Sequence, residues 1–229
     1  MVFDAAAPPN TSRRRATVLL SLLLASGFAA ALWAARALST ESGSYSNLLW
    51  NLFLAWIPFL IALLVYDRHR RGVSPWAVLA PAIAWLLFLP NAPYLLTDYF
   101  LLRWVDGAPV WFDVVLLTAF AWTGLLLGFV SLFLMHAVAR ALFGRLTSWM
   151  LVIGVLGLTS FGVYVGRFWR WNSWDAIVQP THLLGDLAAR LSDPVAMSKV
   201  AAATIILTGF LTLAYVVLYS FLRLAEEPR

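Results

Sequence analysis

Side chains able to bind a ligand are concentrated in two short stretches of an otherwise apolar chain. The first, LPNAPYLLTD at residues 89–98, contains an asparagine, a tyrosine and an aspartate between apolar runs. The second, YVGRFWRWNSWD at residues 164–175, contains two arginines surrounded by aromatic residues. Arginine suits two-pronged contacts with carboxylate or phosphate, and an asparagine amide offers two donors and an acceptor. These residue types predict a site for a polar or anionic group, either a small molecule or a lipid headgroup.

The candidate residues are expected to converge on one outward-facing pocket. If the second stretch is helical, its tyrosine and two arginines share a face, because steps of three and four residues fall on one side of a helix. Two arginines next to apolar sequence need counter-charges, and Asp98 is the first candidate. We therefore predict that Asp98 meets both arginines in a single cavity. The predicted ligand-binding residues are Asn51, Asn91, Tyr94, Asp98, Asp113, Tyr164, Arg167, Arg170 and Asp175.

Simpler explanations exist for each of these residue types. Tryptophan and tyrosine are typical of membrane interfaces, and an arginine at a helix end can extend to the lipid headgroups. Asparagines within spans commonly form hydrogen bonds between helices. The glycines of GLLLG (124–128) and GVYVG (162–166) have the spacing that lets helices approach closely. The polar residues are therefore compatible with a structural network as well as with a binding site.

The amino-acid composition indicates that most of the protein's surface faces lipid. Of its 229 residues, 62% are hydrophobic and 12% are charged, against about 25% charged in a soluble domain. The absence of cysteine excludes disulfides, thiolate metal sites and a cysteine nucleophile. The net charge of +5 comes from short basic clusters between apolar runs, which is the pattern of membrane-orientation signals. A lipid bilayer is the predicted partner, and nucleic acid is not.

The predicted fold is all-α, an integral membrane bundle of about six transmembrane helices. Each apolar run is close to the roughly 20 residues needed to cross a bilayer. The first run has a longer apolar core than a signal peptide, so we expect a retained helix. One polytopic domain, residues 16–224, is expected between tails at 1–15 and 225–229. The predicted spans are 16–38, 48–66, an interrupted run from 75, 113–139, 148–166 and 200–222.

The third span is predicted to break inside the outer leaflet. The fourteen residues from Trp76 to Leu89 would cover only about 21 Å of a core about 30 Å thick. Pro90 and Pro93 then remove backbone donors, and the freed carbonyls need partners or a cavity to line. Asn91 can supply donors there. A kinked helix end, with Asn91 capping a neighbour, explains the same stretch equally well.

The distribution of basic residues predicts the orientation. Ten arginines fall on the side of the termini and the 67–72 turn, against six Lys and Arg residues on the other side. This asymmetry places both termini in the cytoplasm. The last outer loop, residues 172–198, contains LLGDLAARL, a short amphipathic segment that would lie on the membrane surface. A lid over the pocket is one role open to it.

No motif identifies a reaction or a cofactor. The three histidines are scattered without metal-ligand spacing, and the chain has no HExxH, GxSxG, P-loop or dinucleotide fingerprint. We therefore predict neither a metal nor a cofactor, and the sequence does not decide whether the protein is an enzyme.

Four strings give the chain a family resemblance: NLFLAWIP (51–58), LPNAPYLLTD (89–98), WFD (111–113) and YVGRFWRWNSWD (164–175). With them the chain resembles a family of bacterial multi-pass membrane proteins, domain of unknown function 1361, from roughly Leu48 to Leu222. The resemblance implies a bacterial integral membrane protein and no particular activity, and we predict that it lies in the inner membrane. Some members carry a histidine shortly after the Thr-Asp pair, where this chain has YFLL (99–102). That departure argues against a metal site there.

Three functions are compatible with these features. The first is binding or transport of a polar or anionic molecule, or a lipid headgroup, in the outward pocket. The second is an outer-leaflet enzyme acting on a lipid-linked or peptide substrate, with Asp98 or Asp113 as acid or base and the arginines stabilising negative charge. The third is a structural or assembly subunit in which the charges pair internally. The oligomeric state is not predicted.

Overall fold

A computed structural model describes residues 9–102 and 108–224, and within these ranges the chain is helical and contains no strand. The predicted C-terminal tail and the first eight residues of the N-terminal tail lie outside this description. The α-helices are α1 (Pro9–Thr40), α2 (Asn47–Arg70), α3 (Pro75–Phe88), α4 (Asn91–Tyr94), α5 (Val110–Phe168), α6 (Asp175–Val178), α7 (Pro180–Leu191) and α8 (Pro194–Leu224). A 3-10 helix, Leu95–Leu101, continues directly from α4.

Five helical stretches of the described chain are long and apolar enough to cross a membrane, and the longest of them provides two crossings. α5 has 59 residues, which corresponds to about 88 Å of helix, nearly three times a bilayer core. It is divided at Gly144, where φ is 79° and ψ is −179°, a conformation essentially restricted to glycine. Leu125 and Phe129 before this point share an apolar cluster with Val152 and Leu156 after it. The two segments therefore fold back on each other, and the prediction of about six spans in an all-α bundle is confirmed.

The bundle is organised around the first segment of α5. Its Leu116, Phe120 and Leu127 are fully buried in the main apolar core. Large apolar side chains on the outer helices are instead exposed, for example Leu24 of α1 at 65% and Ile206 of α8 at 72%. Exposed apolar surface on this scale would be unfavourable in water but is expected of helices that face lipid.

The two ends of the bundle differ in character. At one end Arg15 pairs with Asp67, and Val65, Val78 and Val138 form a small core. We call this the basic end, because the arginines of the α2–α3 turn, of the Gly144 turn and of the end of α8 lie there. At the other, polar end, buried carboxylates and amides connect α1, α2, the 3-10 helix and α5.

The predicted break in the third span is present, but it is milder than a loop. α3 ends at Phe88, and the backbone at Leu89 and Pro90 keeps helical dihedral angles while the hydrogen-bond pattern changes. Ala92 N donates to Leu89 O at 3.1 Å, one residue nearer than in a regular α-helix. The span is therefore interrupted by a change of helix type at the prolines, without leaving the bundle.

Glycines on α5 hold this interrupted segment in place. A Cβ atom added at Gly124 would lie 2.5 Å from Ala92 O, and one at Gly162 would lie 2.7 Å from Pro90 Cγ. Such distances are shorter than any ordinary side-chain contact, so only glycine fits at these two positions. Both predicted small-residue patterns thus serve one purpose, the close approach of the two halves of α5 to the α3–α4 junction.

Candidate functional site

Asp98 is the centre of the polar network. It forms an ion pair with Nη2 of Arg167, and Asn51 Nδ2 donates to its second oxygen at 3.1 Å. The Asp98 side chain is fully buried, while that of Arg167 is 14% exposed. Because both carboxylate oxygens have donors, the charge that was expected to be costly in an apolar segment is compensated inside the protein. The predicted meeting of Asp98 with Arg167 is confirmed.

Arg167 is held on several sides by the interrupted third span. Its Nε donates to Thr97 Oγ1 at 2.8 Å, and its guanidinium lies 4.4 Å from the centre of the Tyr94 ring. The 3-10 helix brings Thr97 and Asp98 to the same guanidinium as adjacent residues. Residues 94–98 thus contact Arg167 in three ways: Asp98 pairs with its charge, Thr97 accepts a hydrogen bond from it, and the Tyr94 ring lies against the face of the guanidinium.

Asn91 compensates for the backbone irregularity that the prolines create. In a regular α-helix the backbone amide of Ala92 would donate to Phe88 O, but here it donates to Leu89 O. The Asn91 side chain takes its place, because its Nδ2 donates to Phe88 O at 2.9 Å. The same Nδ2 donates to Ser173 Oγ at 3.0 Å, which ties the break to the segment after α5. The expectation that Asn91 would satisfy a freed carbonyl is therefore confirmed.

A cavity of about 330 Å³ lies beside this network. Its polar lining is made of amide and hydroxyl side chains, and its apolar lining comes from α2, α3, the second segment of α5 and α7. The polar residues are Asn51, Asn91, Tyr94, Asn172 and Ser173, and the apolar ones include Leu54, Leu86, Phe161, Val165, Leu183 and Leu187. Neither Asp98 nor Arg167 lines this space. The lining formed by the described residues is therefore uncharged, with hydrogen-bonding groups beside apolar walls.

Several polar atoms of the lining retain unused hydrogen-bonding capacity. Asn51 and Asn91 both use Nδ2 in the network, and their Oδ1 atoms accept no hydrogen bond from the residues described. Ser173 Oγ accepts from Asn91, so its own hydrogen can be donated. The two amide oxygens would accept from hydroxyl or N–H groups of a ligand, and the serine would donate.

α7 covers one side of the cavity and is fastened at its outer face. Trp171 Nε1 donates to Asp186 Oδ2 at 2.7 Å, and Arg190 Nε donates to both oxygens of Asp186 at 2.8 and 2.9 Å. These hydrogen bonds from Trp171 and Arg190 lower the pKa of Asp186, so the carboxylate stays ionised at neutral pH. The predicted amphipathic helix in the last outer loop is present as α7, with Leu183 and Leu187 facing the cavity.

Four predicted residues do not join the site: Tyr164, Arg170 and Asp175, which lie near or just after the end of α5, and Asp113. The helical face expected from residue 164 to 174 ends early, because α5 stops at Phe168 and Arg170 adopts a positive φ of 62°. This turn leaves Arg170 exposed in a surface pocket, and the ion pair of Asp98 is made with Arg167 and not with Arg170. Tyr164 packs against Phe168 and Trp169, and Asp175 accepts a hydrogen bond from Asn172 N at 2.7 Å in a local turn. The prediction that Arg170 would meet Asp98 is wrong.

Asp113 belongs to a second buried pair that sequence analysis missed. Its Oδ1 accepts from Arg36 Nε at 2.5 Å and its Oδ2 from Arg36 Nη2 at 3.1 Å, while the Tyr45 hydroxyl lies 3.2 Å from Oδ2. The guanidinium also lies 4.6 Å from the centre of the Tyr45 ring. The available signal was an arginine at residue 36 within the apolar end of α1, read only as part of the orientation count.

Long apolar helices, exposed apolar side chains and internally paired charges define a multi-pass α-helical membrane protein. The family model described as "Protein of unknown function (DUF1361)" matches residues 50–215. The chain therefore belongs to this family, as its resemblance implied. No curated protein and no solved structure matches the chain.

Proposed function

We propose that the protein binds an amphiphilic molecule with an uncharged polar group in the cavity at its polar end. The observation that carries this proposal is the composition of the cavity wall, where amides and hydroxyls adjoin leucine, valine and phenylalanine side chains and no described lining residue is charged. An apolar chain would pack against Leu86, Phe161 and Val165. A hydroxyl-bearing or amide-bearing group would reach the free oxygens of Asn51 and Asn91.

The pairing of Arg167 favours an uncharged ligand over an anionic one. Its guanidinium is already neutralised by Asp98, and Arg170 lies on the outer surface. Among the described residues that line the cavity, none carries a positive charge that would compensate an anion for its lost hydration, which is unfavourable. Within the range of polar or anionic ligands that the sequence allowed, the geometry therefore supports the neutral class.

The same contacts favour binding over catalysis. Asp98 has no exposed surface, and its two oxygens accept from Arg167 and Asn51. Asp113 is equally enclosed, with both oxygens bonded to Arg36. A general base must come within hydrogen-bond reach of its substrate. The two carboxylates considered for that role are committed to arginines.

Ligand binding is expected to raise the thermal stability of the purified full-length protein. The matched probes are dioctanoylglycerol, which is uncharged, and dioctanoyl phosphatidate, which has the same chains and an anionic headgroup. At a concentration 100-fold above its dissociation constant, a ligand stabilises the folded state by about 2.7 kcal/mol. We expect saturable stabilisation by dioctanoylglycerol and a clearly smaller effect of the phosphatidate, measured as the unfolding temperature in an uncharged detergent.

A variant that fills the cavity provides the control. Ala176 lines the cavity, so Ala176→Trp should abolish the stabilisation by dioctanoylglycerol. Ala188 is exposed on α7 and outside the cavity, so Ala188→Trp should respond like the unsubstituted protein. Equal responses of the two variants, or stronger stabilisation by the phosphatidate, would rule out the proposed uncharged site.

We propose further that the protein resides in a bacterial inner membrane with both termini and the basic end in the cytoplasm. Support comes from the arginines that gather at the basic end, as the positive-inside rule requires. The chain has no cysteine, so single substitutions can be labelled without background. A membrane-impermeant maleimide should label Asp193→Cys in intact spheroplasts and Val73→Cys only after lysis. Labelling in the reverse order would show that the orientation is wrong.

A further inference from the structure

A second pocket lies at the basic end, opposite the cavity described above. It has a volume of about 400 Å³ and is lined by three arginines that come from three helix ends: Arg140 before Gly144, Arg145 after it, and Arg223 near the end of α8. Trp149, Val216, Tyr219 and Ser220 complete its wall. We call it the arginine pocket.

The hydrogen bonds of the arginine pocket leave an excess of donors. Arg140 Nη1 donates to the Tyr219 hydroxyl at 2.9 Å, and Arg223 Nε donates to the same oxygen at 3.2 Å. These bonds use the acceptor capacity of that hydroxyl, so its hydrogen is available to a third partner. Among the residues described, the four ion pairs involve neither Arg140 nor Arg145. Within residues 9–102 and 108–224, the guanidinium groups of Arg140 and Arg145 therefore line a concave space without a carboxylate paired to them.

The arginine side chains of the pocket and the apolar residues around it suit a phosphate that carries acyl chains. Phosphate oxygens match the planar donor pairs of arginine and accept several hydrogen bonds at once. Val216 lines the pocket itself, and Phe143, Leu146 and Phe221 at the same end of the bundle are more than half exposed. An exposed apolar border suits a phosphate that is attached to acyl chains. A soluble phosphate would leave this border without a partner.

We propose that the arginine pocket binds the phosphate of an anionic membrane lipid in the leaflet at the basic end. The guanidinium groups of Arg140 and Arg145 contact the phosphate oxygens, and the Tyr219 hydroxyl donates to one of them. The acyl chains lie along the exposed apolar side chains of α5 and α8. Basic pockets between helices at the cytoplasmic side are recurrent sites for such headgroups. The proposal does not depend on the function of the cavity at the polar end.

The experiment measures lipid retention by the purified full-length protein in an uncharged detergent. Dioleoyl phosphatidylglycerol and dioleoyl phosphatidylcholine, which share their acyl chains, are added at equal concentrations, and bound lipid is counted by native mass spectrometry. We expect preferential retention of phosphatidylglycerol. The double variant Arg140→Gln/Arg145→Gln should weaken its binding by about tenfold or more, because several charge-assisted hydrogen bonds are lost.

The matched control removes the same charge elsewhere at the same end. Arg13 and Arg71 are both exposed, and Arg13→Gln/Arg71→Gln should leave phosphatidylglycerol binding within about twofold of the original, because this pair lies outside the pocket. Tyr219→Phe should weaken binding as well, since it removes the third donor. Equal loss in both double variants would overturn the proposal in favour of general surface charge. Equal retention of the two lipids would also overturn it, as would full displacement by millimolar inorganic phosphate.

Discussion

Replacing Arg36 with alanine should lower the free energy of unfolding by about 3–5 kcal/mol, because Asp113 would be left as an unpaired charge in the core. The Arg36 side chain is 0% exposed and that of Asp113 is 2% exposed, so the remaining carboxylate would lie in a part of the folded protein that excludes water. Folded proteins are stable by only about 5–15 kcal/mol in total. We expect a large fall in unfolding temperature, or failure to accumulate in the membrane, measured on the purified protein and on membrane fractions.

The charge should matter more than the volume of the side chain. Arg36→Met/Asp113→Leu removes both charges and keeps the space filled, so it should be less destabilising than Arg36→Ala alone. The exposed pair Arg190–Asp186 supplies a comparison, with side chains 45% and 29% exposed. Arg190→Ala should cost no more than about 1 kcal/mol. If the loss of unfolding free energy in Arg36→Met/Asp113→Leu equalled the sum of the losses in its two single variants, an unpaired buried charge would not be the cause of the instability.

Arg167→Ala should be the second most damaging substitution, with an expected loss of about 3–5 kcal/mol. It removes the ion-pair partner of Asp98, the donor to Thr97 and the cation over the Tyr94 ring. Because Asp98 has no exposed surface in the folded protein, its carboxylate would lose its main partner at a site that water does not reach. The effect is measured as a change in unfolding temperature in detergent.

A double-mutant cycle tests whether this loss comes from the pair. Asp98→Ala combined with Arg167→Ala should be milder than the sum of the two single changes, since neither charge is then stranded. Arg170 is a matched control, because it lies three residues further along and is exposed on the outer surface. Arg170→Ala should change stability by less than about 0.5 kcal/mol. Strict additivity between Asp98 and Arg167, or an equal effect at Arg170, would show that the two charges act independently.

The paired charges and the cavity have separate roles in this arrangement. Asp98 and Arg167 hold residues 94–98 against the end of α5, while Asn91 repairs the backbone at the prolines and connects it to Ser173. Together they keep an irregular backbone rigid at a depth where unsatisfied polar groups are costly. The residues whose amide oxygens or hydroxyl hydrogen remain unused, Asn51, Asn91 and Ser173, line the cavity. Substitutions in the pairs should therefore affect folding, whereas substitutions such as Ala176→Trp should affect binding alone.

The apolar spans, the interruption at the prolines and the meeting of Asp98 with Arg167 could be predicted from the sequence. Each follows from a local energetic cost that leaves few alternatives. Apolar runs of about 20 residues require lipid, proline removes a backbone donor, and a charge beside apolar residues requires a partner. The glycine patterns likewise indicated close helix approach, although not that both would enclose the same segment.

Only the tertiary structure decided which arginine pairs with which aspartate, and what shape the cavity has. Asp113 pairs with Arg36, 77 residues away, and no local pattern distinguishes this arginine from Arg170 as its partner. Arg170 leaves the expected face because α5 ends at Phe168, where a single positive φ redirects the chain. The sequence by itself therefore determined that buried charges must be neutralised. The packing of six spans determined which charges meet, because pairing depends on the distances between helices that are remote along the chain.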